Sequence, residues 1–356
     1  MGSNGSRRLV IVSFAVLALV IAAILAWPDG APRDGRCDGA EGGRFEAVGG
    51  WICSPKGTLF IARGINVHGD GFPFPGNTAT MAPIVDRWGF NMVRGNLQAI
   101  DPHKDDTFED QATADDLVKA YSRRKIVVLL EAHDRIGGWF EGADRDRLIA
   151  WMTDLATDYR DNPYVWLGVQ NEPGAMDSPE KAQTWLETHQ DVIDAVRATG
   201  FTAPIVVNDW YWGQGSGDQD PEFEAGDSAI LSLGPQLIDP QDNLVFDLHV
   251  YDQWDTNAYA QLAAFADVAL ERELAWLVGE FGPRADGSLL EASDAVFLLG
   301  QTRGIGHLAW NWYSADEWDL TTSGNGGGHW IEFDQAGRPT NLTAFGQKLW
   351  DTNSRP

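Results

Sequence analysis

Short apolar stretches rich in β-branched residues alternate along this chain with longer amphipathic ones. Eight of the short stretches stand out: LFIARGINV, FNMVRGNL, KIVVLLEAHD, YVWLGVQNE, PIVVNDW, LVFDLHVY, AWLVGEFG and IGHLAWNWYS. Their apolar character is nearly continuous rather than alternating, which marks strands covered on both faces. Most gaps hold a helical pattern, such as ADDLVKAYSRR before the third run. PEKAQTWLETHQDVIDAVRATG, before the fifth, has apolar residues at helical spacing and Gly200 where a C-terminal cap belongs. Strands alternating with helices predict βα units and a parallel sheet. Eight units in 356 residues predict an α/β fold, a single (β/α)8 TIM barrel occupying residues 37–356. No Gly-x-Gly-x-x-Gly follows the first run, so nothing supports a nucleotide fold. GGWICSPKG, just before that run, predicts a hairpin that caps the bottom of the barrel.

Residues 9–27, LVIVSFAVLALVIAAILAW, follow Arg7 and Arg8 and carry no charge. Their length reaches the lower range of a membrane span and exceeds a usual signal-peptide core. Residues 1–27 are therefore expected to be an uncleaved anchor or a cleaved signal peptide, with the basic end inside. Residues 28–36 have linker composition. The domain is then expected outside the cytoplasm, secreted or tethered. Export makes pairing of the only two cysteines, Cys37 and Cys53, the expectation.

Apolar residues at 44% and charged residues at 22% exclude a disordered chain. The net charge of −26 changes the picture more. Phosphate backbones and anionic lipid would repel such a surface, so nucleic acid is excluded as a partner and any membrane contact is left to the N-terminal segment. A monomer acting on a neutral substrate is expected.

Candidate chemistry comes from the C-terminal ends of the runs, where barrels of this kind carry their sites. Asn66, Arg94, Asn96, Glu131, His133, Asp134, Asn171, Glu172, Asn208, Asp209, His249, Tyr251, Glu280, Trp310 and Asn311 all fall there. One polar strand end is a turn preference; the same end of all eight is a site. Glu172 and Glu280 end the fourth and seventh runs, across the mouth from each other. Two carboxyls aimed at one bond are the apparatus of glycoside hydrolysis, one protonated and one ionised. No Cys, Ser elbow or Lys at these ends suggests acyl transfer or Schiff-base chemistry. His68, His133, His249 and His307 come from separate runs without metal-ligand spacing, so neither metal nor cofactor is expected and sugar contacts explain them better.

RGINVHG, the Arg94 run, EAHD, QNEP, HVY, GEFG and AWNW, in that order, resemble glycoside hydrolase family 5, a retaining group. The likeness runs from about residue 49 to the C-terminus. LLEAHD, DWYWGQG, HLAWNWYS and LTAFGQ resemble the bacterial β-mannanases more than the cellulases. The resemblance implies that Glu172 is the general acid/base and Glu280 the nucleophile. It implies that Arg94 and Tyr251 hydrogen-bond Glu280, that Asn171 contacts the sugar 2-hydroxyl, and that His133 and His249 position that sugar and Glu172. Trp310 would lie beneath the sugar. The segments Asp252-Gln253-Trp254 and Gly174-Ala175-Met176 depart from a typical mannanase, which leaves substrate open between mannan and β-1,4-glucan.

Trp139, Trp210, Tyr211, Trp212 and Trp254 sit at loop positions, where aromatic faces suit sugar C–H groups or pack beneath their own loops. Trp88, Trp151, Trp185 and Trp276 fall in helical patterns or before runs and are assigned to the core. A non-catalytic carbohydrate-binding barrel is the rival from another class; it has no need of Glu172, Glu280 and Arg94 together.

Overall fold

The computed structural model describes residues 35–68, 85–99, 111–215, 224–284, 287–312, 318–323 and 331–353. The expected anchor at residues 9–27 lies outside them. Among the described residues no helix is long and apolar enough to cross a membrane.

Eight parallel strands close into a barrel: β3 (Arg63–His68), β4 (Met92–Leu97), β5 (Val127–Ala132), β6 (Val165–Gly168), β7 (Ile205–Asn208), β8 (Leu244–Val250), β9 (Trp276–Phe281) and β10 (Gly306–Ala309). Each coincides with one of the eight apolar runs. Hydrogen-bonded neighbours follow chain order, and β10 returns to pair with β3. The outer layer includes α1 (Gln111–Tyr121), α2 (Ala143–Tyr159), α3 (Pro179–Ala198), α4 (Ala229–Ser232), α5 (Ala258–Glu271), α6 (Glu291–Arg303) and α7 (Ala344–Asn353). Val192, Ile193 and Val196 form the buried stripe of α3, whose helical spacing the sequence displays. The strands read as apolar runs because helices cover their outer faces while side chains fill the interior.

A two-residue hairpin, β1 (Glu46–Val48) and β2 (Trp51–Cys53), turns at Gly49 and Gly50. Both glycines have positive φ, the conformation that such a tight turn requires. Phe45 leads into it and packs edge-on against Trp166 of β6 and Tyr164 just below that strand. Asn243, at the foot of β8, accepts from Ala47 N–H and donates to the Phe45 carbonyl. The hairpin therefore stoppers the lower end of the barrel. Cys37 and Cys53 form a disulfide, chemistry of an oxidising compartment outside the cytoplasm.

Two departures from the sequence expectation affect the site. First, β6 ends at Gly168, short of Glu172. Val169 still donates to Val206 O and Asn171 to Ala132 O, so the chain climbs onward without a regular ladder. Second, the β8–β9 register slips: Leu248 pairs with Val278, but His249 pairs with Glu280. Gly279 is the extra residue, a β-bulge.

Candidate active site

At the upper end of the barrel a cleft of about 370 Å³ opens between the loops. His133, Glu172, Tyr251, Glu280 and Trp310 line it, together with Trp318. Five of these six are candidates from the strand ends. Asn66, Arg94, Asn96, Glu131 and Asn171 lie directly beneath, all buried.

Glu280 reaches the cleft because of the bulge. Asp247 and His249 are two apart on β8 and share a face. With unbroken pairing, His249 would lie opposite Gly279, and Glu280 would turn to the other face. The slipped register brings Glu280 alongside His249. Its carboxyl accepts from Arg94 Nη1 at 2.7 Å and from the Tyr251 hydroxyl at 3.1 Å. Burial pushes this carboxyl up; the His249 charge opposes it, Glu172 adds to it, and Arg94 and His133 oppose it. Tyr251 is raised well above its ordinary range, by burial first and then by the Glu280 and Glu172 charges. It stays a hydrogen-bond donor.

Glu172 is placed by local backbone geometry. Its φ of 46° is left-handed, an uncommon conformation for a residue with a β-carbon. Hydrogen bonds on both sides hold it there: its N–H donates to Asn208 Oδ1 at 2.8 Å, and its carbonyl accepts from Gly137 N–H at 2.8 Å. Its side chain meets His249, whose Nδ1 is 2.9 Å from Glu172 Oε1 and 3.6 Å from Glu280 Oε2. One oxygen of each glutamate and a ring nitrogen of His249 all lie within 4.8 Å of one another. These are also metal-donor types. However, His249 Nε2 lies 3.2 Å from Asn208 Nδ2, and with Nδ1 on Glu172 both ring nitrogens are engaged within the protein.

Arg94 organises the floor. Beyond Glu280 it donates to Asn171 Oδ1 at 2.7 Å and to Asn66 Oδ1 at 3.0 Å, and it pairs with Glu131 at 3.3 Å. Burial opposes its charge, yet Glu131, Glu280 and Asp247 hold it firmly protonated. Glu131 accepts from Asn96 at 2.8 Å and lies 2.7 Å from His133 Nδ1. Burial would raise Glu131, but Arg94 and His133 bring it down to about 2. Burial would correspondingly lower His133, and Glu131 raises it instead. The His133 ring stacks on Trp310, with centroids 5.6 Å apart and planes 8° from parallel, making one wall of the cleft.

Not every candidate faces this cleft. Trp254 is buried, its indole N–H donating to Gln214 O and its ring against Phe265. Trp210 is buried too and donates to Gly215 O. Both pack beneath their own loops and offer no face to a ligand. Trp212 remains 40% exposed; Trp139 is half-buried with Lys181 Nζ 5.5 Å over its ring. Asp209 is buried and accepts from Ser228 Oγ and the Trp210 and Ala229 N–H groups, fastening the loop after β7 to α4. His307 is buried near the start of β10 against the edges of Phe281 and Phe297, away from the mouth. The His68 side chain lies outside the described residues.

The sequence reading passed over Asp247. It is buried in mid-strand, 3.5 Å from Arg94 Nε and 3.7 Å from His249 Nε2. The available signal was a charged residue within the apolar run LVFDLHV, two positions before His249.

The sequence pattern of the Cellulase family (glycosyl hydrolase family 5) matches residues 53–316. The chain is 27% identical over 350 residues to a mannan endo-1,4-beta-mannosidase of Streptomyces lividans, covering 95% of this chain and 80% of that one. It is 28% identical over 277 residues to a mannan endo-1,4-beta-mannosidase of Cellvibrio japonicus, covering 75% and 59%. It is also 24% identical over 271 residues to endoglucanase 3 of Humicola insolens, covering 70% and 65%. Among solved structures, a beta-mannanase from Thermomonospora fusca matches with a TM-score of 0.68 at 20% identity, over 86% of this chain and 94% of that one.

Proposed function

Because the chain belongs to glycosyl hydrolase family 5, we propose that it hydrolyses internal bonds of β-1,4-linked mannan or glucomannan with retention of configuration. The observation that carries this reading is the closeness of the two carboxyls, with oxygens of Glu172 and Glu280 inside 4.8 Å. Retaining enzymes hold their carboxyls about 5–5.5 Å apart, whereas inverting ones leave about 6.5–9.5 Å for a water. Mannan as substrate is supported by the mannan-cleaving relatives from Streptomyces lividans and Cellvibrio japonicus.

In this reading Glu280 is the nucleophile. Arg94 and Tyr251 fix its two oxygens and stabilise the carboxylate that attacks the anomeric carbon. Glu172 donates its proton to the leaving oxygen, then draws a proton from the water that cleaves the glycosyl-enzyme. His249 positions Glu172, and Asn171, held by Arg94, meets the 2-hydroxyl. Trp310 and His133 form the surface under the same sugar, while Trp139 and Trp212 offer further aromatic faces along the rim. Residues 37–356 make the catalytic domain, and residues 9–27 export it or tether it at the cell surface.

Incubation of the protein with mannohexaose and cellohexaose in parallel tests the substrate. Internal cleavage of the mannose chain, first released as the β-anomer, is expected. Cleavage of cellohexaose alone would move the substrate to glucan and keep the mechanism. Glu172→Ala and Glu280→Ala are each expected to lower kcat by about a thousandfold or more while the fold survives. Full activity in either variant would overturn the assignment.

A further inference from the structure

Asn208 closes β7, which lies between β6, whose chain runs on to Glu172, and β8, which carries His249. It is buried, does not line the cleft, and has no part in the hydrolytic scheme. Its side chain makes three contacts, and their chemistry fixes which way the amide faces. The Glu172 N–H can only donate, so the atom 2.8 Å from it is the amide oxygen. The two N–H groups of Nδ2 then meet two atoms, the Asp247 carbonyl oxygen at 3.2 Å and His249 Nε2 at 3.2 Å. The carbonyl can only accept, which agrees with that orientation. Nε2 accepts as well, and the ring proton sits on Nδ1. Nδ1 in turn faces Glu172 Oε1 at 2.9 Å. One amide thus governs Glu172 twice, through its backbone and, by way of His249, through its carboxyl.

We propose that Asn208 is a positioning residue: it locks Glu172 in its left-handed backbone conformation and fixes the His249 tautomer whose Nδ1–H donates to the Glu172 carboxyl. The proposal rests on the reading of Glu172 as the acid/base. A φ of 46° is unfavourable for a residue with a β-carbon, and Asn208 Oδ1 supplies one of the two backbone hydrogen bonds that hold it. The surroundings keep both partners still. Asn208 O accepts from the Trp185 indole N–H of α3 at 3.1 Å. The His249 N–H donates to Gly213 O at 2.8 Å, and a β-carbon on Gly213 would lie 2.6 Å from His249 Cγ. The loop backbone therefore rests on the imidazole and holds its plane. Burial favours a neutral ring, whereas the Glu280 and Asp247 charges favour a charged one. Contact geometry decides between them. Asp247 Oδ2 is 3.7 Å from Nε2, beyond hydrogen-bond length, and a proton on Nε2 would meet the Asn208 N–H groups head-on.

The ring can be read directly, because NMR of isotope-labelled histidine separates a ring nitrogen that bears a proton from one that does not. Among the seven histidines of the chain, His249 is assigned by the signals that vanish in His249→Gln. A bare Nε2 and a protonated Nδ1 are expected at about pH 7. A proton on Nε2 in the wild-type protein overturns the proposal, whether or not any variant folds. Asn208→Asp keeps an acceptor for the Glu172 N–H but sets an oxygen against Nε2, which should then carry a proton. A folded Asn208→Asp protein with Nε2 still bare overturns the proposal too.

Kinetics separate positioning from structural support. A dinitrophenolate leaves without needing a proton, so kcat/KM for dinitrophenyl β-mannobioside does not depend on the acid, whereas kcat/KM for mannohexaose does. Asn208→Leu has neither the oxygen nor the N–H groups. It should lower kcat/KM on mannohexaose by about a hundredfold and keep it on the aryl substrate. Equal loss on both substrates would show structural damage alone, and no loss on either would show that Glu172 needs no such hold; each result overturns the proposal. If cellohexaose proves to be the substrate, the matching cello-oligosaccharide pair serves in the same way. Failure of the catalytic reading appears separately, as a Glu172→Ala enzyme that shows no preference between the two leaving groups.

Discussion

Arg94 shows how one side chain can hold a site together. It is 1% exposed and meets Glu131, Asp247 and Glu280 along with the Asn66 and Asn171 amides. Removing one member of a buried ionic group strands the others without compensation, at a cost of about 3–5 kcal/mol. Arg94→Met is therefore expected to lose that much in denaturant unfolding and to lower kcat by about a hundredfold or more. The pH dependence of stability should change with it. Glu131 is held at about 2 against an ordinary 4.5, so its contribution is present above about pH 4.5 and lost as pH falls toward 2. In Arg94→Met that acid-side loss should shrink. Equal acid sensitivity in the two proteins would mean that Arg94 does not hold Glu131 ionised.

Among the elements, the β8–β9 pair decides the most. The slip at Gly279 turns Glu280 to the face of His249 and leaves the space that Asp247 fills. Gly279 has no positive φ to explain its presence; the reason is room. Gly279→Ala would drive a β-carbon into the Asp247 carboxylate, and overpacking of this kind costs about 1–3 kcal/mol. Stability lower by that amount is expected, with Glu280 displaced from Arg94 and activity reduced more than stability. A fully active variant would show that the strand pair can relax around the added methyl group. The hairpin below makes the complementary case. Gly49 and Gly50 announce their turn in the sequence, yet besides nearby Phe60 the rings that Phe45 meets are Tyr164 and Trp166, far along the chain.

At the scale of the whole molecule, a net charge of −26 spread over one barrel makes the folded state self-repelling. The buried ion pairs at the centre are shielded from solvent salt, whereas surface repulsion is screened within about 10 Å at 0.1 M. Raising NaCl from about 10 mM to about 150 mM should therefore raise Tm without changing the site's pH dependence. A Tm that falls with salt would show surface attractions outweighing the repulsion. The same acidity suits a neutral polysaccharide and disfavours phosphate-bearing partners.

Periodicity and residue chemistry by themselves determined the strand count, the barrel, the hairpin and the set of polar strand ends. These are local properties: a strand buried on both faces must be apolar throughout, and a site at strand ends must put polar residues there. Glu172, Glu280, Arg94, His133 and Tyr251 were visible for that reason. Tertiary structure alone decided which aromatic rings face the cleft, because burial of Trp254 and Trp210 depends on loops packing over them. It alone revealed the bulge, since register is a relation between two strands and neither sequence carries it. Asp247 belongs to the same class. A carboxylate in mid-strand has meaning only once Arg94, His249 and the empty place above Gly279 are brought around it.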